Sequence, residues 1–321
     1  MPVIEKSTFV TPFGFANCHL QTIYPTLIRQ VRNVRYRRER ILTPDNDFLD
    51  VDLSETGSQK LVIISHGLEG NSHRSYVKGM VRCLNKHGCD ALAWNFRGCS
   101  GEMNRKPQFY HSGATYDLDR VLQYALTLEK YESIFMVGFS MGGNITLKYI
   151  ADYADTLPEN LKAAVAFSVP CDLTGTAVQL SEVAGGLYLK RFLKMLKEKV
   201  RLKHALMPDK ISIDGLDKIT TFEGFDNAYT APLHEFNDAF DYWKKASCKP
   251  VLSKIKIPAL LINAKDDPFL TPDCFPYKEA SESTFLTLEV PEKGGHVGFM
   301  QFGKDGCYWS EQRVVEYLQS F

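Results

Sequence analysis

The 321-residue sequence has no excess of either charge, because 38 Lys and Arg balance 38 Asp and Glu. Without a positive excess there is no whole-molecule field that would attract nucleic acid, so no nucleic-acid partner is expected. The chain also lacks an apolar run long enough to cross a bilayer. Its first ten residues lack the apolar core of a signal peptide. We therefore expect a cytoplasmic protein without a transmembrane anchor.

Paired cysteine spacings are absent as well. The eight cysteines are scattered, with no C-x-x-C pair and no other metal-ligand spacing. Scattered thiols are typical of a reducing compartment and predict neither disulfides nor a zinc site. We expect no metal and no cofactor. Internal repeats and low-complexity segments are also missing, while a hydrophobic fraction of 44% is enough for a large core.

The sequence does contain a regular alternation of apolar runs and helical stretches. Strand-like runs at about 61–65, 90–96, 133–139, 162–168, 257–263 and 284–290 alternate with helical stretches at about 74–87, 113–129, 141–153, 272–281 and 308–320. This alternation predicts an α/β fold with a mostly parallel central sheet and helices on both faces.

Two regions depart from this alternation. Residues about 1–58 should supply antiparallel strands at one sheet edge, with candidates at 34–42 and 48–53. Over about 171–256 the strands stop and two helical stretches occur, which is where a helical cap over the site would be inserted. We therefore expect residues 1–321 to form a single domain with a cap insertion.

The most informative segment is Gly138-Phe139-Ser140-Met141-Gly142. It joins a predicted strand to a predicted helix, and a serine at such a junction between two glycines is the pattern of a nucleophile elbow. Glycines without a Cβ let strand and helix approach closely around the turn. The N–H of Met141, at the positive end of the helix, would donate to a substrate carbonyl oxygen.

In enzymes with this turn an acid and then a histidine follow the serine. Asp267 stands just past the predicted strand 257–263, where an α/β sheet places functional groups, and Asp266 is the alternative acid. His296 lies on a glycine-flanked loop after the last predicted strand. It would accept the Ser140 proton, and the acid would orient its ring.

A second amide donor for the oxyanion is expected from an earlier loop. His66-Gly67-Leu68 follows the strongly apolar run at 61–65, and the N–H of Leu68 is the candidate. The predicted site therefore comprises the catalytic residues Ser140, Asp267 and His296 with the oxyanion donors Leu68 and Met141.

Several longer motifs carry a resemblance to a known family. They are His19-Leu-Gln-Thr-Ile, His66-Gly-Leu-Glu-Gly, Trp94-Asn-Phe-Arg97-Gly98, Tyr110-His-Ser-Gly113-Ala-Thr-Tyr-Asp117-Leu, GFSMGGN, AKDDPF and GGHVGF. On these motifs, which span nearly the whole chain, the sequence resembles the α/β-hydrolases. More narrowly it resembles their YheT-like branch, which includes eukaryotic membrane-associated lipid esterases. Other α/β-hydrolases carry an aspartate where Asn95 stands.

The resemblance implies carboxylic-ester hydrolysis through an acyl-enzyme, with Ser140, Asp267 and His296 at the triad positions. A short- to medium-chain carboxylesterase is the favoured prediction, and an acyltransferase is a variant of it. The alternatives are an acylglycerol lipase or phospholipase with the same triad and a catalytically silent binding protein. The expected partner is a small-molecule or lipid ester, while the oligomeric state and the mobility of the cap are not predicted.

Two basic segments have a functional and a structural interpretation. The helical stretch 180–204 could form a basic face that contacts anionic lipid peripherally, and the arginines between 29 and 40 could bind phosphate. A solvated helix face and an edge strand protected from aggregation are the commoner explanations. The residues concerned are Lys190, Arg191, Lys194, Lys197, Lys199, Arg201 and Lys203 in the first segment and Arg29, Arg32, Arg35, Arg37, Arg38 and Arg40 in the second.

Overall fold

The strands of the chain form one sheet, as seen in a computed structural model that describes residues 2–4, 6–302 and 306–321. Within these residues there are nine strands: β1 (Val3–Ile4), β2 (Arg37–Leu42), β3 (Phe48–Ser54), β4 (Lys60–Ser65), β5 (Asp90–Trp94), β6 (Ser133–Phe139), β7 (Leu161–Phe167), β8 (Ala259–Ile262) and β9 (Leu286–Glu289). Their order is β1-β9-β8-β7-β6-β4-β5-β3-β2. Only the β2–β3 and β3–β5 pairs are antiparallel. The predicted mostly parallel sheet with an antiparallel edge is confirmed.

Helices connect most of the strands. The described residues contain eleven α-helices: α1 (Cys18–Leu27), α2 (Ser75–Lys86), α3 (Thr115–Thr127), α4 (Met141–Asp152), α5 (Leu173–Glu182), α6 (Leu187–Leu206), α7 (Phe222–Phe225), α8 (Ala231–Leu233), α9 (Ala239–Ala246), α10 (Tyr277–Ser281) and α11 (Trp309–Leu318). None of the described helices is long and apolar enough to cross a membrane.

The sheet is covered on both faces, as its apolar strands require. In β4, Leu61 and Ile63 pack into the layer that includes α3 and α4. Their neighbours Val62 and Ile64 pack into the opposite layer with α2 and α11. Because side chains alternate along a strand, a continuous apolar run buries both faces at once.

Several element boundaries differ from the predicted ones. The stretch 272–281 is a short 3-10 turn followed by α10, and the last two strands are shorter than their apolar runs. Strand β1 was not predicted, because its two residues are too few to show a hydrophobic period. Helix α1 was not predicted, because it contains Pro25, a residue that disfavours a helix interior. Helix α1 is nevertheless capped, since the Asn17 side chain accepts a hydrogen bond from the Leu20 amide at 3.1 Å.

Residues 168–258, between β7 and β8, are called the inserted segment. Its helices have apolar clusters of their own, one around Leu193, Val200 and Phe225 and another around Trp243. The predicted helical stretch 180–204 is interrupted between α5 and α6. Residues 184–186 all have positive φ values, which no α-helix accommodates, so α5 ends before them and α6 begins after them.

The predicted basic face of this segment is also only partly correct. Lys199 and Lys203 on α6 are 7% and 0% exposed. The Lys203 ammonium donates to the carbonyls of Asn104 at 2.8 Å and Lys106 at 2.6 Å. A lysine of this kind buries its aliphatic chain and also its ammonium group, because the ammonium is hydrogen-bonded within the protein. Sequence periodicity does not distinguish such a lysine from a solvent-exposed one.

Two of the arginines of β2 lie opposite carboxylates on β3. Arg38 pairs with Asp52 at 2.8 Å and Arg40 pairs with Asp50 at 2.7 Å. Their charges are therefore neutralised within the sheet edge, as the structural interpretation of this segment expects.

Candidate active site

Ser140 occupies the turn between β6 and α4 in a strained backbone conformation. Its φ and ψ are 54° and −121°, a region that residues with a Cβ rarely adopt. The turn is fixed to the sheet because the Ser140 amide donates to the Phe167 carbonyl at 2.8 Å. The side chain thus stands at the carboxyl end of the central strands.

The two glycines flanking Ser140 are required by close backbone contacts. A Cβ on Gly138 would lie 2.5 Å from the Gly142 carbonyl oxygen. A Cβ on Gly142 would lie 2.4 Å from the carbonyl oxygens of Ser65 and His66. Neither position has room for a side chain, which explains the glycine spacing in the sequence.

Ser140, His296 and Asp267 are joined in a chain of hydrogen bonds. The His296 Nε2 lies 2.9 Å from the Ser140 Oγ, and its Nδ1 lies 2.9 and 3.1 Å from the two Asp267 oxygens. A carboxylate only accepts, so Nδ1 carries the ring proton and Nε2 is free to accept from the serine hydroxyl. The arrangement can therefore move a proton from Ser140 to His296.

Asp266 contacts the histidine loop at a different point. Its Oδ1 accepts a hydrogen bond from the Gly295 amide at 3.0 Å, and burial raises the pKa of its carboxyl. Of the two adjacent aspartates, the structure brings Asp267 to the imidazole and Asp266 to the backbone beside it.

Helix α1 supports the histidine loop through two residues of the His19-Leu-Gln-Thr motif. Thr22 Oγ1 accepts from the His296 amide at 2.9 Å. The Gln21 side chain, which is fully buried, accepts from the Met300 amide at 3.0 Å and donates to the Phe15 carbonyl at 3.0 Å. Neither residue is among the predicted site residues, although the His19-Leu-Gln-Thr motif is a signal that could have identified them.

The loop after β4 lies directly against the elbow. A Cβ on Gly67 would be 3.2 Å from the Ser140 Cβ. The Gly67 amide donates to the Tyr76 hydroxyl and the Glu69 amide donates to the Tyr110 hydroxyl, at 2.9 and 3.0 Å. Within the described part of the chain, the Leu68 N–H between them has no hydrogen-bond partner.

The conformation of this loop depends on His66. Burial lowers the pKa of His66 to about 3, so its ring is neutral. Its Nε2 accepts from the Phe96 amide at 3.1 Å, and Nδ1–H therefore donates to the Gly67 carbonyl at 2.7 Å. The histidine is a structural residue that shapes the turn ahead of Leu68.

An ion pair links the same loop to α6. The Lys199 ammonium lies 2.7 Å from a Glu69 oxygen and 3.0 Å from the Cys99 sulfur. Burial opposes the charged form of Lys199, but Cys99 and Glu69 together raise its pKa. Tyr110 donates to the same Glu69 oxygen at 2.5 Å. The inserted segment is thereby fastened to the loop that carries Leu68.

The other family motifs are structural. Arg97 is buried and pairs with Asp117 at 2.8 Å and with Asp47 at 3.0 Å. The Asn95 amide donates to Asp52 at 2.9 Å, and its oxygen accepts from the Ser72 amide at 2.9 Å. These contacts tie the loop after β5 to β3 and to the chain leading into α2.

Two cavities meet at Ser140. The inner cavity, of about 130 Å³, lies beneath the inserted segment and is mainly apolar. The outer cleft, of about 520 Å³, lies between α1, the loop after β4 and α6. Both are lined by Ser140, His296, Leu68, Phe192 and Phe269.

A possible set of metal ligands also occurs outside these cavities. The ligand atoms of Cys83, Cys307 and Glu311 lie within 4.8 Å of one another. However, burial raises the pKa of the Cys83 thiol, and Glu311 already pairs with Arg29 at 2.6 Å. The Glu311 carboxylate is thus already paired with a cation, and no metal site is proposed from these residues.

The sheet order and the strand–helix turn at Ser140 define the class, a hydrolase of the α/β fold. The family model described as alpha/beta hydrolase fold matches residues 60–302, and the chain belongs to that family. YheT of Escherichia coli, a candidate esterase by name, is 34% identical over 327 residues, which covers 99% of this chain and 94% of that relative. The resemblance to the YheT-like branch is confirmed.

More distant relatives have lipid-directed names. Phospholipase ABHD3 of Homo sapiens is 27% identical, covering 94% of this chain and 75% of its own. Monoacylglycerol lipase of Saccharomyces cerevisiae is 27% identical, covering 89% of this chain and 64% of its own. Among solved structures, a Pyrococcus furiosus esterase superposes with a TM-score of 0.63 at 19% identity, covering 90% of this chain and 92% of that one. That likeness supports the fold.

Proposed function

We propose that this protein is a serine carboxylesterase that cleaves short- to medium-chain esters through an acyl-enzyme intermediate. The observation that carries the proposal is the 2.9 Å contact between Ser140 Oγ and His296 Nε2, with Asp267 on the other ring nitrogen. Nucleophile, base and orienting acid within hydrogen-bonding distance are what acyl transfer needs.

In the first half of the reaction His296 accepts the Ser140 proton while the serine oxygen attacks the ester carbonyl carbon. The resulting oxyanion accepts hydrogen bonds from the N–H groups of Leu68 and Met141, each worth about 3–4 kcal/mol in the transition state. His296 then protonates the departing alkoxide. In the second half water, deprotonated by His296, attacks the acyl-enzyme and releases the acid.

The inner cavity is the proposed acyl site, and residues about 171–256 of the inserted segment are its proposed cap. Apolar residues such as Leu173, Phe225 and Trp243 line the cavity, so an acyl chain would gain about 0.8 kcal/mol for each CH₂ it buries. A volume of about 130 Å³ accommodates a short chain more readily than a long one.

Hydrolysis of 4-nitrophenyl butyrate tests the proposal. Ser140→Ala should abolish it, while Ser253→Ala, at an exposed serine outside both cavities, should retain it. A fluorophosphonate should label the native protein and not Ser140→Ala, which separates an esterase from a silent binding protein. Full activity in Ser140→Ala would end the assignment.

An acylglycerol lipase or phospholipase is the second candidate, favoured by the names of two relatives. A series of 4-nitrophenyl esters of increasing chain length, measured with and without lipid vesicles, distinguishes the two. An optimum at acetate or butyrate supports the carboxylesterase. Strong activation by vesicles with long chains would favour the lipase.

A further inference from the structure

We propose that the outer cleft binds an anionic group, a phosphate ester, on the alcohol portion of the substrate. The inference rests on the proposed esterase function and specifies the class of leaving group. It comes from the charges that line the cleft and from the position of the cleft relative to Ser140.

The outer cleft has a basic lining with no acidic counterpart. Five Arg and Lys residues line it, and among the described residues no Asp or Glu does: the basic residues are Arg29, Arg32, Arg74, Lys78 and Arg191. In the whole chain the two charge signs are equal, 38 to 38. The excess in the cleft is therefore local and not a consequence of composition.

Four of these cations have no carboxylate partner within the described residues. Arg29 is neutralised by Glu311 at 2.6 Å. In contrast, Arg74 donates only to the uncharged Glu69 carbonyl at 2.7 Å. Arg32 contacts only the Gln30 side-chain oxygen at 3.4 Å.

The remaining two, Lys78 and Arg191, lie on two different helices, α2 and α6, and both line the cleft. Neither forms an ion pair within the described part of the chain. Arg32, Arg74, Lys78 and Arg191 are called the cleft cations.

The cleft cations line the same cleft as Ser140 and His296. Among the described residues that line it there is no carboxylate, so an anion bound there would face cations only. Guanidinium and ammonium groups are the usual partners of phosphate in proteins, the former through two parallel hydrogen bonds.

The chemistry of the proposed reaction places the alcohol in this cleft. The acyl group stays on Ser140 until water attacks, and the apolar inner cavity suits it. The alcohol must leave after His296 protonates its oxygen, and His296 lines the outer cleft as well. The phosphate would then lie among the cleft cations while the ester carbonyl lies at Ser140.

Three butyrate esters with the same acyl group test the inference: 1-butyrylglycerol, its 3-phosphate and its 3-phosphocholine. We expect kcat/KM, measured from released butyrate, to be at least about tenfold higher for the phosphate than for the neutral ester, a difference of about 1.4 kcal/mol. The phosphocholine ester, with no net charge, should lie between them. The preference should weaken as salt is raised, since exposed charges are screened.

Matched variants assign the preference to the cleft. Arg32→Gln, Lys78→Gln and Arg191→Gln should each lower the phosphate-to-neutral ratio of kcat/KM, and the triple variant, which keeps Arg74, should lower it furthest. Arg35→Gln and Lys194→Gln, which remove exposed cations outside the cleft, should leave the ratio unchanged. Equal kcat/KM for the three esters in the native protein would overturn the inference.

Inhibition measurements distinguish a phosphate carried by the leaving alcohol from free phosphate and from a membrane surface. Glycerol 3-phosphate should inhibit hydrolysis of 4-nitrophenyl butyrate competitively and more strongly than inorganic phosphate. Equal inhibition by the two would assign the cleft to free phosphate and overturn the link to the leaving alcohol. A preference that appears only with anionic vesicles would instead indicate membrane contact and would also overturn it.

A failure of the esterase proposal itself is recognisable separately. In that case none of the three esters and no 4-nitrophenyl ester is hydrolysed. Calorimetric binding of glycerol 3-phosphate to the native protein, reduced in the triple variant, would still support the anion site. Absence of such binding would overturn it.

Discussion

Asp266 and Asp267 are adjacent carboxylates for which asparagine substitution is expected to lower kcat by very different factors. Asp267 is 4% exposed, and its oxygens accept the Nδ1–H of His296. An asparagine amide in its place can donate to Nδ1 and stabilise the tautomer whose Nε2 carries the proton. That ring cannot accept the Ser140 proton, so we expect kcat to fall by about 10³- to 10⁴-fold, or about 4–5.5 kcal/mol of activation free energy.

Asp266→Asn should have a much smaller effect. Its side-chain oxygen can still accept the Gly295 N–H, which lies 3.0 Å away. The loss is limited to replacing a charged acceptor by a neutral one, about 1 kcal/mol, so kcat should fall less than about tenfold. The two substitutions are isosteric and one residue apart, and each serves as the control for the other.

The assay is the initial rate of 4-nitrophenyl butyrate hydrolysis, with thermal unfolding recorded to verify that both variants are folded. KM should change little in either, because neither carboxylate lines the cavities at Ser140. Loss of most of the activity in Asp266→Asn, with activity kept in Asp267→Asn, would contradict the proposed role of Asp267 as the orienting acid. Full activity in both variants would also contradict it.

Three further predictions concern the supports of the site. Gly67→Ala should lower kcat at least about tenfold, because the new methyl group meets the Ser140 Cβ at 3.2 Å; unchanged kcat would show that the loop can retreat. Thr22→Val should lower kcat more than it raises KM, because the His296 amide loses its hydrogen-bond acceptor. Thr22→Ser keeps the hydroxyl and should retain the activity of the native protein. Low activity in Thr22→Ser would contradict a positioning role for Thr22. Unfolding free energy, measured by urea titration, should fall on acidification below about pH 6.5. Below this pH the imidazole of His66 takes up a proton in the unfolded chain, whereas burial holds its pKa in the folded protein at about 3. The contribution of neutral His66 to the unfolding free energy is therefore complete above pH 6.5 and declines below it by up to about 1.4 kcal/mol per pH unit. No decline between pH 6.5 and 5 would contradict this prediction.

Much of the fold follows from the sequence because burial on both faces leaves a clear signal. The continuous apolar runs that became β4 and β6 are typical of strands buried on both faces. The glycine spacing around Ser140 is required because a Cβ at Gly138 or Gly142 would lie 2.4–2.5 Å from backbone oxygens. The predicted site residues lie after strands whose carboxyl ends converge at one sheet edge, and for this reason their positions in the sequence predict that they lie close together.

Long-range polar contacts could not be predicted in the same way. Lys199 has the periodicity of a solvated helix residue, yet it pairs with Glu69, which is 130 positions earlier in the numbering (199 − 69). Thr22 likewise meets His296 across almost the whole chain. Such pairs depend on how distant elements pack against each other. Neither hydrophobic periodicity nor local propensity predicts that packing.

The most direct test of the account is the mass of the protein during turnover. Native protein mixed with 4-nitrophenyl butyrate and quenched in acid should gain the mass of one butyryl group, and peptide mapping should place it on Ser140. Ser140→Ala should gain none, and His296→Ala should gain it far more slowly. A butyryl group on another residue, or hydrolysis with no covalent adduct at any time, would contradict the proposed acyl-enzyme.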